Sequence, residues 1–121
     1  MGFSFMPKIK NTERGKAGEA LAEAYLKEQG LTILDKNFRA KRAEIDLVAT
    51  DNKELIIVEV KLRQNNRFGF PEEFVSTQKE KLLKLAGYTY KEINHIHMSL
   101  RFDVIAISID EKEIIHYKDA F

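Results

Sequence analysis

The stretch Leu55-Ile56-Ile57-Val58-Glu59-Val60-Lys61-Leu62-Arg63 constrains this chain more than any other. Its opening four residues form an unbroken apolar run, which suggests a central strand covered on both faces rather than one with a wet side. Such a strand needs a layer above it and a layer below it, and the surrounding segments must supply them. Two charged residues, Glu59 and Lys61, then interrupt the run. Side chains two apart on a strand share a face, so these two point one way and Val58, Val60 and Leu62 the other.

Upstream, from Gly15 to Gln29, the small and apolar residues Ala17, Ala20, Leu21, Ala24 and Tyr25 recur at the period of a helix burying one face. Gly30 is the expected stop. Residues 1–11 read as a loose lead-in. Leu31 to Phe38 is β-compatible, and Ala43 to Thr50 is a clearer strand, with Ile45, Leu47 and Ala49 alternating with Glu44, Asp46 and Val48. The short turn Asp51-Asn52-Lys53 should fold that strand onto the Leu55 strand as a hairpin. Downstream, residues 65–69 read as a loop and a helix is expected between Pro71 and Lys91, with Ser76 as an alternative N-cap. Its apolar stripe would run through Val75, Leu82, Leu85, Ala86 and Thr89. Arg101 to Ile109 alternates again, with Phe102, Val104, Ala106 and Ser108 opposed to Asp103, Ile105, Ile107 and Ile109. Asp110-Glu111-Lys112 turns it into a last strand, Glu113 to Tyr117. The order helix, three strands, helix, two strands predicts an α/β fold, a mixed sheet with a helix on each side. At 121 residues the chain fits one domain, 1–121, and is too short for two independent cores.

Composition narrows the partners. Twenty Lys and Arg against nineteen Asp and Glu leave a net charge of +1, so any basic surface must be local. Cysteine is absent, which excludes disulfides and thiolate metal sites and fits a reducing compartment. No apolar run suits a signal peptide or a membrane span, so the expected location is cytoplasmic, without a membrane partner. No phosphate-binding glycine loop, dinucleotide fingerprint or Ser-His-Asp order is present, and no small-molecule cofactor is expected.

The chemistry concentrates where the apolar strand ends. Burying a charge is expensive unless it is paired or coordinates a metal, and Glu59 with Lys61 could be no more than a buried ion pair. Asp46, on the preceding strand of the hairpin, adds a second carboxylate. Two oxygen ligands on adjacent strands can hold a hard divalent cation, Mg2+ or Mn2+, and leave room for water and a phosphate, with Lys61 placed to orient the water. Glu19, at the edge of the buried face of the first helix beside Ala22, Glu23 and Leu26, is a fourth candidate. Glu44 shares the strand face of Asp46. For phosphate contacts the candidates are Arg39 and Arg42 with Lys36 and Lys41, then Arg63 and Arg67, and the polar Gln78 and Lys79 beside the second helix stripe. A helix starting at Ser76 would make Gln78 and Lys79 merely first-turn residues. His95 and His97, two apart, would share one face of a strand; with no third ligand they read as surface histidines.

Asp46 followed by Glu59-Val60-Lys61 resembles the Asp, Glu-x-Lys signature of restriction-endonuclease-like and Holliday-junction-resolvase-like nucleases. Over nearly its whole length the chain is similar to the small bacterial YraN-like family, described as uncharacterised proteins or endonucleases. The marks are Gly18-Glu19, Asn37-Phe38-Arg39, Glu44-Ile45-Asp46-Leu47-Val48-Ala49, Val58-Glu59-Val60-Lys61-Leu62-Arg63, Phe68-Gly69-Phe70-Pro71-Glu72, Lys79 and Arg101-Phe102-Asp103-Val104. Ala43 departs from the pattern, standing where that family usually has glycine. The resemblance implies a restriction-endonuclease-like three-layer α/β/α fold and a metal-dependent endonuclease acting on DNA, with branched or recombination intermediates among the candidate substrates. It also implies Asp46 and Glu59 as metal ligands and Lys61 and Glu19 as further catalytic residues, while Arg39, Arg42, Arg63, Gln78 and Lys79 stay the nucleic-acid contacts that the residues themselves suggest. Two-strand cleavage of a junction would call for a homodimer. The competing expectation is a non-catalytic module that keeps the nuclease fold and binds nucleic acid or a protein partner.

Overall fold

In chain order the elements are α1 (Pro7–Glu28), β1 (Thr32–Ala40), β2 (Ala43–Thr50), β3 (Glu54–Arg63), α2 (Thr77–Ile93), β4 (Ser99–Ser108) and β5 (Glu113–Tyr117), in a computed structural model that describes residues 7–63, 75–108 and 111–121. The first helix begins at Pro7, so residues 7–11, expected as a lead-in, are helical; proline suits the first helical position because its missing N–H has no intrahelical partner there anyway. It stops where Gly30 takes φ 90°, with Leu31 N–H donating to Leu26 C=O and Gly30 N–H to Lys27 C=O, a Schellman closure. The same closure ends α2: His95 at φ 54° donates to Glu92 C=O and Ile96 N–H to Lys91 C=O. His95 and His97 therefore lie in the exposed connection after that helix, not on a strand face.

The five strands lie in the order β1-β2-β3-β4-β5, which puts β3 at the centre. β1, β2 and β3 form an antiparallel meander, β3 pairs β4 in parallel, and β5 returns antiparallel to β4. The parallel step is the one that needs a crossover, and α2 is in it. The β2–β3 turn is closed by Asp51 Oδ1, which accepts from Lys53 N–H at 2.9 Å and Glu54 N–H at 2.7 Å.

Each face of the sheet carries a separate apolar core. Ala22 and Leu26 of α1 pack with Leu47, Ala49, Ile56, Val58, Ile105 and Ile107 on one side. Leu83, Ala86 and Tyr90 of α2 pack with Ile45, Val48, Leu55, Ile57, Phe102 and Val104 on the other. The result is the three-layer α/β/α arrangement with a mixed central sheet expected of a restriction-endonuclease-like fold. Both helix stripes differ from the sequence reading. In α1 the buried positions are Gly18, Ala22 and Leu26, while Ala17, Ala20, Leu21 and Ala24 are exposed. Close approach to β3 decides this, since a Cβ at Gly18 would collide with the Leu62 side chain. In α2 the buried line is Leu83-Ala86-Gly87-Tyr90, and Leu85 is 47% exposed. Gly87 belongs to that line because it lets the helix backbone come down onto Ile57 and Phe102.

Candidate functional site

The site starts from an irregularity in the outer hairpin. Lys36 is opposite Leu47 and Phe38 opposite Ile45, so Asn37, in the left-handed region at φ 53°, lies across from Asp46. Before this point the pair Lys36 and Leu47 faces α1: Lys36 reaches Glu23 of that helix, and Leu47 joins its core. After it, Phe38 and Ile45 both pack into the core under α2. The two strands thus exchange faces at Asn37 and Asp46. This breaks the expected alternation, in which Ile45 would have shared a face with Leu47. The β2–β3 pairing ends at the adjacent pair, Leu47 with Val58. Beyond it, Asp46 Oδ2 accepts the Val60 N–H at 2.8 Å, so a side chain satisfies a β3 amide where the β2 backbone has moved away.

Into the gap β3 projects Glu59, 4% exposed. Its Oε2 accepts from Lys79 Nζ at 2.5 Å and lies 3.5 Å from Lys61 Nζ. Lys61 is on the same side as Glu59, as the strand period requires. Lys79 comes from the first turn of α2, where Ser76 caps the helix by accepting the Lys79 N–H. Ser76 as N-cap was anticipated, but the first-turn position does not turn Lys79 and Gln78 away: both line a cleft of about 400 Å³ with Arg42, Glu44, Asp46 and Glu59, walled by Leu82 and Leu83.

Electrostatics follow from this crowding. Burial first, and the Glu59 charge second, push the Asp46 carboxyl up to about 7 against the lowering effect of Val60 N–H. Partial burial would pull the Lys79 ammonium down, but the hydrogen bond and charge of Glu59 outweigh it and hold Lys79 above the ordinary lysine value. Asp46 and Glu59 thus offer hard carboxylate oxygens to an open cleft. That fits magnesium or manganese, since magnesium-type ions take one or two carboxylates from a protein and keep several waters. Among the described residues no group of three or more His, Asp or Glu side chains is placed to hold a metal.

The remaining candidates are distributed unevenly. Glu19 accepts from the Asn37 amide at 3.1 Å and lines a neighbouring hollow with Lys16, Glu23 and Lys36; its charge is felt by Asp46. Arg39 reaches Glu44 at 3.5 Å and so stands beside the cleft that Arg42 lines. Arg63 ends β3, two pleats beyond Glu59. Arg67 and the Phe68-Gly69-Phe70-Pro71-Glu72 segment lie outside the described residues.

Sequence reasoning missed a second polar constellation, on the α1 side of the sheet. Asp103 is fully buried, bound in two-pronged fashion by Arg101 at 2.9 and 2.8 Å, by His116 Nε2 at 2.7 Å and by Asp119 N–H at 2.9 Å. Burial pushes its carboxyl up, yet His116 and Arg101 more than offset this and hold it below the usual range. An ionised Asp103 can only accept, so His116 Nε2 donates to it, and His116 Nδ1 lies in hydrogen-bond reach of the Tyr25 hydroxyl at 3.1 Å. The network ties α1, β4, β5 and the residues after it together, away from the cleft. An aspartate within the apolar Phe102 to Ile107 run was the available signal, because a buried charge requires partners.

Comparison with known proteins agrees with the resemblance read from the motifs. The family model described as uncharacterised protein family UPF0102 matches residues 18–107. A UPF0102 protein of Clostridioides difficile is 43% identical over 114 residues, covering 93% of this chain and 100% of its own length. Those of Thermodesulfovibrio yellowstonii and Flavobacterium psychrophilum are 46% and 40% identical, each over at least 90% of this chain and 96% of their own. With Asp46 and Glu59 meeting where β2 leaves β3, and relatives matching almost end to end, the chain belongs to the uncharacterised protein family UPF0102, the YraN-like proteins.

Proposed function

We propose that this protein is a metal-dependent endonuclease that hydrolyses DNA phosphodiester bonds, branched or recombination intermediates among them. The observation that carries the reading is the convergence of Asp46 and Glu59 on one cleft at the point where the central hairpin opens. A divalent cation held by these two carboxylates would supply Lewis-acid activation of water and neutralise charge developing on phosphorus. The chain's own groups do the rest. Val60 N–H fixes the Asp46 carboxylate, and β3 fixes Glu59 from below. Lys61, on the Glu59 side, orients the attacking water or stabilises the charged transition state. Glu19 adds negative charge near Asp46, while Arg42, Gln78 and Lys79 on the cleft wall, with Arg39 and Arg63 outside it, contact flanking phosphates. A second reading, a nucleic-acid-binding or partner-binding module without catalysis, is favoured by the near-neutral charge and because, among the described residues, no group of three or more His, Asp or Glu side chains is placed to hold a metal.

A titration of Mg2+ and Mn2+ over labelled duplex, single-stranded and junction DNAs, run beside Asp46→Asn, separates the two. Metal-dependent cleavage that Asp46→Asn abolishes is the expected result. Binding without cleavage on every substrate would favour the module, and cleavage that survives Asp46→Asn would remove the site from the reaction.

A further inference from the structure

We propose that Lys79 gates metal loading: its ammonium and a divalent cation compete for the same Glu59 oxygen, and the cation binds by displacing Lys79. The proposal rests on the metal-dependent reading above and assigns Lys79 a role within it besides phosphate contact.

Three observations support it. Glu59 Oε2 is shared by two ammonium groups but unequally, Lys79 at 2.5 Å and Lys61 at 3.5 Å. The first is a full charge-assisted hydrogen bond; the second is longer than such bonds run. Glu59 cannot retreat, being almost wholly buried on the central strand, whereas the Lys79 side chain is 42% exposed on a flexible four-carbon stem. Of the two lysines, Lys79 lines the cleft with Asp46 and Glu59, so a cation entering from solvent meets Lys79 at Glu59. Charge balance points the same way. With Asp46 ionised, as a cation ligand must be, two carboxylates and two ammonium groups are already neutral as a set, and a dication added with both lysines in place would leave a large positive excess in a half-buried site. Withdrawal of Lys79 into solvent relieves it. Its root stays put, because the Ser76 cap holds the Lys79 backbone N–H at 3.1 Å whatever the side chain does.

The test is isothermal titration calorimetry of manganese into the full chain without DNA, for the wild type, Lys79→Met, Lys79→Gln and Lys61→Met. Removing a competing charge-assisted hydrogen bond should tighten manganese binding roughly tenfold in both Lys79 variants. Lys61→Met should change it much less. Thermal unfolding without metal selects whichever Lys79 variant keeps its fold. Unchanged or weaker manganese binding in that variant, or equal tightening in Lys61→Met, would overturn the gate and leave the metal site standing. Absence of manganese binding in all four proteins would instead overturn the metal-dependent reading, and the gate with it.

Discussion

Replacing Asp46 with asparagine should alter the pH dependence of stability more than stability itself. The amide oxygen can still accept the Val60 N–H, so the local geometry has no reason to change. What disappears is a carboxyl held at about 7, against an ordinary value of 3.8, by burial and by Glu59. At about 1.4 kcal/mol per unit this sets a ceiling of roughly 4 kcal/mol. The side chain is only partly buried and faces an open cleft, so solvent screening reduces the expected effect to about 2 kcal/mol. Because the folded value lies above the unfolded one, the native state holds the proton more tightly. The contribution is therefore complete below about pH 4 and is lost as pH rises through about 7. Urea unfolding in chelator-treated buffer from roughly pH 4.5 to 8, for wild type and variant, measures it. The stability of the wild type relative to Asp46→Asn should fall by about 2 kcal/mol across that range. Parallel curves, or a wild type that gains on the variant as pH rises, would refute the reasoning that two crowded carboxylates occupy the cleft.

Lys61→Ala should lower stability by less than about 1 kcal/mol, because Lys79 keeps Glu59 paired, while abolishing cleavage; a loss of roughly 3 to 5 kcal/mol in thermal unfolding would make Lys61 the structural partner instead. Arg101→Met should cost about 3 to 5 kcal/mol in urea unfolding, since it removes two hydrogen bonds from a fully buried carboxylate, and a cost under about 1 kcal/mol would mean that Asp103 is protonated or hydrated.

Element order was readable from the sequence because its causes are local. The unbroken Leu55 to Val58 run set the central strand, Gly30 the end of α1, and Asp51-Asn52-Lys53 the hairpin turn. Local period also placed Glu59 and Lys61 on one face, and Asp46 beside them through the hairpin. Where the signal was ambiguous, tertiary packing chose. Small residues occupy several sides of α1, and only the approach of Leu62 to Gly18 selects the buried one. The opposed faces of β2 could not be anticipated, because Asn37 in the left-handed region exchanges them at Asp46, and strand period assumes that no such exchange occurs. The last decisions were long-range. Lys79 reaches Glu59 from twenty residues away, and His116 reaches Asp103 from β5 to β4, so neither pairing has a spacing to read. A buried carboxylate announces in the sequence that it needs a cation, but which cation reaches it depends on how the layers pack, since charge partnering acts through space and not along the chain.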